Sequence, residues 1–125
     1  MEGIGAMTHS QAFMPPYSVL EQTEDACRVA IPLAADAACF DGHFPGFPVL
    51  PGVVQLHWAV SIAARTLGAA GVFAGMDQIK FTGIVQPGDA LELALQLDAA
   101  ASRVSFVYEV EGRKMSSGRL RMQAQ

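Results

Sequence analysis

Charge is scarce in this chain, and basic charge is the scarcer sign. Eight Lys and Arg stand against twelve Asp and Glu, for a net charge of −4, and the basic residues never form a block. A nucleic-acid partner needs a clustered basic footprint, so that class is set aside. Long apolar runs are missing too. The longest, residues 53–64, is broken by Gln55, His57 and Ser61, and falls short of the roughly 20 apolar residues that a bilayer crossing needs. The N-terminus has no charged stretch followed by an apolar core, so it does not read as a secretory leader. Met7 offers a natural start, in which case residues 1–6 are an added extension. Cysteine is nearly absent. Cys27 and Cys39 could pair but are expected to stay reduced, as in a soluble cytoplasmic protein. Three histidines, one of them His9 in the polar N-terminal segment, are too few to suggest a metal site. There is no phosphate-cradling glycine loop, no Gly-x-Ser-x-Gly elbow and no pair of Cys-x-x-Cys motifs. No metal and no cofactor is expected.

What the chain has is apolar residues, 51% of its 125. That is ample for one core and enough to expect further burial against a partner. Residues 1–13 are expected to be a mobile N-terminal segment, and residues 14–125 a single domain. Residues 17–22 and 27–33 alternate as strands around the turn Thr23-Glu24-Asp25, a hairpin, with Pro32 at an edge or a bend. Residues 34–40 read as loop. Residues 72–81 are a strand candidate, Pro87-Gly88-Asp89 is a strong turn, and residues 91–97 alternate Leu with Glu, Ala and Gln. Residues 104–110 and 114–123 repeat the period of two across Glu111-Gly112. Short turns between such strands predict an antiparallel meander.

Between the two groups of strands lies the most unusual stretch. Pro45, Pro48 and Pro51 each fix φ and push the preceding residue towards extended geometry, so a helix can begin only after Pro51. From Gly52 to Leu67 the chain is apolar on nearly every face, which predicts a helix buried on all sides, ending at Gly68. His43 lies in the proline-held run, a setting that suits a positioned general base. Gly52 either lets the turn close or presents an unpaired first-turn N–H to an anion, and both can hold together. His57 is either a hydrogen-bonded core histidine, the reading its apolar helix favours, or a proton-transfer partner. Gln55 and Ser61 could bond within the same buried layer.

Gly42-His43-Phe44-Pro45-Gly46-Phe47-Pro48-Val49-Leu50-Pro51-Gly52-Val53 resembles the signature loop of the hotdog-fold 3-hydroxyacyl-[acyl-carrier-protein] dehydratases of fatty-acid synthesis. Phe81 with Val85-Gln86-Pro87-Gly88-Asp89 is similar to that family's second landmark, and the likeness covers residues 19–122. The resemblance implies an α+β hotdog fold, in which a curved antiparallel sheet wraps one long helix and dimers form through the sheet edges. It implies that His43 acts on the C2 proton of the thioester, and that Gly52, with Pro51, Val53 and Phe44, forms the oxyanion and substrate-binding corner. Phe47, Trp58 and Phe81 become candidates for an acyl pocket. His57 departs from the family pattern, since a Glu or Asp from the partner subunit usually stands at its position. The Val54-Gln55-Leu56-His57-Trp58-Ala59 version looks like the divergent branch of aryl-polyene and related pathways.

The implied reaction is loss of water from a 3-hydroxyacyl thioester on acyl carrier protein, with a hotdog thioesterase or a non-catalytic partner subunit as alternatives. The implied assembly is a homodimer or trimer of dimers, or a heterodimer with a related subunit. An acidic carrier protein would dock on basic residues, drawn from Arg65, Lys80, Arg113, Lys114, Arg119 and Arg121.

Overall fold

The computed structural model describes residues 15–33, 49–69 and 72–123. The expected N-terminal segment, the loop 34–40, Cys39, His43, Phe44 and Phe47 lie outside the described residues. Strands β1 (Ser18–Gln22) and β2 (Ala26–Pro32) precede helix α1 (Gly52–Leu67), and β3 (Val72–Phe81), β4 (Ala90–Asp98), β5 (Arg103–Val110) and β6 (Arg113–Gln123) follow it. No described helix is long and apolar enough to cross a membrane.

The β1–β2 hairpin closes through Thr23, whose N–H donates to the Ala26 carbonyl at 2.8 Å while its hydroxyl accepts from the Ala26 N–H at 3.1 Å. Between β5 and β6 the turn is two residues, Glu111 and Gly112, both at positive φ (52° and 81°). That is the primed turn whose twist matches a right-handed hairpin. β1 begins at Ser18, opposite Ala30, so Pro32 sits where β2 has a neighbour on one side only.

One sheet of six antiparallel strands results, in the order β1-β2-β4-β5-β6-β3. The expected meander is therefore correct for β4 to β6 and wrong for β3. That strand pairs with β6 at the far edge, not with the β4 that follows it. The eight residues between Phe81 and Ala90 are too many for a tight hairpin, and they carry the chain across to the middle of the sheet. Thr82 and Gly83 donate to the Met115 carbonyl at 2.8 and 3.0 Å on the way, and the Gly88 N–H reaches the Leu33 carbonyl at 2.8 Å.

Alternation sorts the sheet into two faces. Cys27, Val29 and Ile31 of β2, Leu91, Leu93 and Leu95 of β4, and Val104, Phe106, Tyr108 and Val110 of β5 are buried. Arg28, Glu92 and Glu109 face outward and form ion pairs at 3.2 and 3.6 Å. The helix lies on the buried face through Val54, Gln55, Trp58, Ala59, Ile62, Ala63 and Leu67, a stripe with helical spacing. Pro51 caps its start in extended geometry, φ −64° and ψ 149°. Gly68 ends it in the left-handed region at φ 65°, and the Ala69 N–H returns to the Ala63 carbonyl at 3.4 Å.

Burial of the helix on all sides does not hold. Val53 is 72% exposed, and His57 and Ala64 are exposed as well. A single layer of sheet can cover only one side of a cylinder. Val53 on the other side, and Phe73, Met76, Phe81 and Ile84 outside the helix, are large apolar side chains left exposed on the chain.

Candidate active site at the start of the helix

Leu50 is held at both ends. Its N–H donates to the Val85 carbonyl at 2.8 Å, and its carbonyl accepts from the Gln55 side-chain Nε2 at 3.2 Å. Pro51 follows, and its carbonyl takes the first two helical hydrogen bonds, from the Val54 and Gln55 N–H groups at 3.1 Å each. Gly52 and Val53 come before those donors, so the geometry of a helix leaves their N–H groups without an intrahelical acceptor. No acidic residue occupies the first turn to compete for them. The positive end of the helix dipole adds to their pull on an anion.

Gly52 has the Phe81 ring close against it. A Cβ there would lie 2.7 Å from Cζ of Phe81 and 3.0 Å from Cε1, inside van der Waals contact. Gly52 and Phe81, which sequence reasoning placed in different roles, thus touch: the ring lies against the first residue of the helix and is itself half exposed.

Beneath this corner is a polar cluster inside the core. Ser116 Oγ donates to Gln55 Oε1 at 2.6 Å, and the Tyr108 hydroxyl donates to the Gln55 main-chain carbonyl at 2.6 Å. Gln55, Ser116 and Tyr108 are 3%, 1% and 0% exposed. Burial pushes the Tyr108 hydroxyl well above its ordinary titration range, so it remains a donor. Register explains the meeting: Leu93, Tyr108, Ser116 and Phe81 stand side by side on β4, β5, β6 and β3. Sequence reasoning placed Gln55 in a polar layer with Ser61 and His57. The layer exists, but its other members come from the sheet. A glutamine on an apolar helix was the available signal, since a buried amide must find partners.

His57 corrects the core reading. It is exposed, on the same side of the helix as Val53, and does not share the buried layer of Gln55. Trp58, the next residue, turns the other way and is buried in the core. The acyl-pocket candidates Trp58 and Phe81 are therefore in different surroundings, and Phe47 lies outside the described residues. Of the basic residues, Arg119 Nε pairs with Asp77 at 3.2 Å and Arg121 packs across Gly75.

This arrangement of helix, corner and sheet has known relatives. The family described as ApeI-like, ApeI dehydratase, matches residues 19–119. The chain belongs to that dehydratase family. It is 30% identical over 110 residues to the 3-hydroxyacyl-[acyl-carrier-protein] dehydratase FabZ of Pseudothermotoga lettingae, covering 82% of this chain and 79% of that one. Among solved structures it is similar to the dehydratase heterocomplex ApeI:P from Xenorhabdus doucetiae, with a TM-score of 0.80 and 27% identity over 86% of this chain and 96% of that one. A hypothetical thioesterase with coenzyme A from Streptococcus pneumoniae superposes with a TM-score of 0.69 at 11% identity, covering 98% of each chain, and shares the fold. The fold is a hotdog, and the sequence-based family assignment is correct.

Proposed function

We propose that this protein dehydrates a 3-hydroxyacyl thioester carried on acyl carrier protein to the trans-2-enoyl thioester, in fatty-acid or aryl-polyene-type synthesis. The observation that carries the reading is the corner at Gly52: a first-turn N–H beside the Phe81 ring, with His57 on the outward side of the same helix. The named activity of the FabZ relative supports it.

In the reaction, neutral His43 takes the C2 proton while the Gly52 N–H stabilises the negative charge that develops on the thioester oxygen. The C2 electron pair becomes the C2–C3 double bond as the C3–O bond breaks, and protonated His57 gives its proton to the departing hydroxyl, releasing water. His43 ends protonated and His57 neutral, so exchange with water resets the pair. The two must share one proton. Two imidazolium ions supply no base, and two neutral imidazoles supply no acid.

His57 faces away from its own sheet, so it acts on substrate held by a second subunit, in a dimer joined at the sheet edge of β3, where Phe73, Met76 and Phe81 are exposed. A related subunit can take the second place, a reading favoured by His57 standing where a carboxylate is usual and by the heterocomplex named for the Xenorhabdus relative.

Mass-spectrometric detection of water loss from a panel of 3-hydroxyacyl carrier thioesters tests the proposal. Turnover is expected with wild type and is nearly abolished in His43→Ala. Wild-type turnover in that variant overturns the assignment of the base, and release of free thiol in place of water makes the protein a thioesterase. Activity only after mixing with a related subunit makes this chain one half of a heterodimer.

A further inference from the structure

Gln55 and Ser116 are buried polar side chains that bond to each other. A buried amide–hydroxyl pair is not required for stability alone, because replacing both partners by apolar groups of the same shape can be nearly neutral. Its placement suggests another purpose. The Gln55 amide has one end on β6, through Ser116, and the other on the Leu50 carbonyl, two residues before Gly52. Its own main-chain carbonyl is held by Tyr108 of β5. The first turn of the helix and the chain leading into it are thus tied to the same stretch of sheet whose row ends in Phe81, the ring lying on Gly52.

We infer that Gln55 is a positioning residue, which sets the direction of the Gly52 N–H by clamping Leu50 to Ser116 across the helix start. The inference rests on the dehydratase reading above and adds to it a residue that touches no substrate. An oxyanion donor works only when its hydrogen points to where charge will develop, so small misplacements are costly. The clamp removes the freedom by which Pro51 and Gly52 would swing. Gly52, with no side chain to brace it, needs an external hold.

The double variant Gln55→Leu with Ser116→Ala tests this, since it removes the clamp while leaving an apolar, packable layer. It also leaves the Leu50 carbonyl without its side-chain donor, so it is expected to melt several degrees below wild type, yet to lose at least about 10-fold in kcat per folded molecule with KM changed less than about twofold, the mark of an interaction realised in the transition state. Val104→Ala, a core truncation on β5 outside this polar cluster, lowers the melting temperature but leaves kcat per folded molecule unchanged. Wild-type kcat in the double variant overturns the inference. A second readout does not depend on turnover: the Gly52 amide resonance should shift, and its hydrogen exchange accelerate, in the double variant and not in Val104→Ala. If wild type is inactive on every carrier thioester, the dehydratase reading fails, and this amide measurement alone decides whether Gln55 positions Gly52. Unchanged Gly52 exchange and shift then refute it.

Discussion

Replacing Gly52 by Ala asks whether the Phe81 ring is what demands glycine at the helix start. The new Cβ would meet Cζ, Cε1 and Cε2 of Phe81 at 2.7, 3.0 and 3.3 Å. Ordinary carbon contact is about 3.5–4.0 Å, so the ring must retreat by roughly 1 Å. Phe81 is 50% exposed, and full burial of a Phe side chain is worth about 1.5–3 kcal/mol, so losing what remains of its contact costs about 1 kcal/mol. Against this, Ala gains up to about 1 kcal/mol over Gly in helical backbone. Gly52 is not at positive φ, so no backbone strain enters. The two terms nearly cancel in wild type, and the single variant is expected to lose between 0 and about 1 kcal/mol. In a Phe81→Ala background the clash is gone and only the helical gain remains, so Gly52→Ala should then stabilise. Urea denaturation of the four proteins in the cycle measures the coupling, expected near 1 kcal/mol. A coupling below about 0.3 kcal/mol, with the same sign of effect in both backgrounds, refutes the steric argument.

Other outcomes follow from the same geometry. Tyr108→Phe removes the second hydrogen bond to the Gln55 carbonyl in the core and should cost about 0.5–1.5 kcal/mol in urea denaturation. The same residue sets an alkaline limit. Its folded titration point lies above the unfolded value of about 10, so the unfolded state releases its proton first and stability falls as pH rises past about 10, with a limiting slope near 1.4 kcal/mol per pH unit. Tyr108→Phe should flatten that fall, and an identical alkaline slope in both proteins argues against a neutral buried Tyr108. Gly118→Ala would press against Ile79 and bring its Cβ to 2.9 Å from Phe106 Cε2, and should cost roughly 1–3 kcal/mol, read as a fall in melting temperature. His57→Ala separates two roles: loss of orders of magnitude in turnover identifies a proton donor, a few-fold loss identifies a residue that positions water, and His57→Glu tests whether the usual carboxylate serves better.

Much of the chain was legible without coordinates, and the reasons are local. A period of two needs only neighbouring residues, so β2, β4, β5 and β6 were bounded to within a residue or two. Pro51 and Gly68 mark the helix ends because one lacks an N–H and the other tolerates left-handed backbone. The motif running into Gly52 pointed to the family, and the corner it leads to is where the described residues leave helix N–H groups unpaired.

Tertiary structure decided what depends on residues far apart in the chain. Which free edge β3 joins is settled by pairing with β6, some forty residues on, and not by its own pattern. That an apolar helix keeps one open face follows from a single sheet covering it, which no helical periodicity can reveal when every face is apolar. His57 therefore faces outward despite its apolar surroundings in sequence. Gln55 finds Ser116 and Tyr108, and Phe81 reaches Gly52, only because strand register sets them in one row under the helix. Sequence alone determined which chemistry the chain carries, through side-chain type and backbone restriction. Packing determined where that chemistry points, because direction is set by contacts between segments that are distant in the chain.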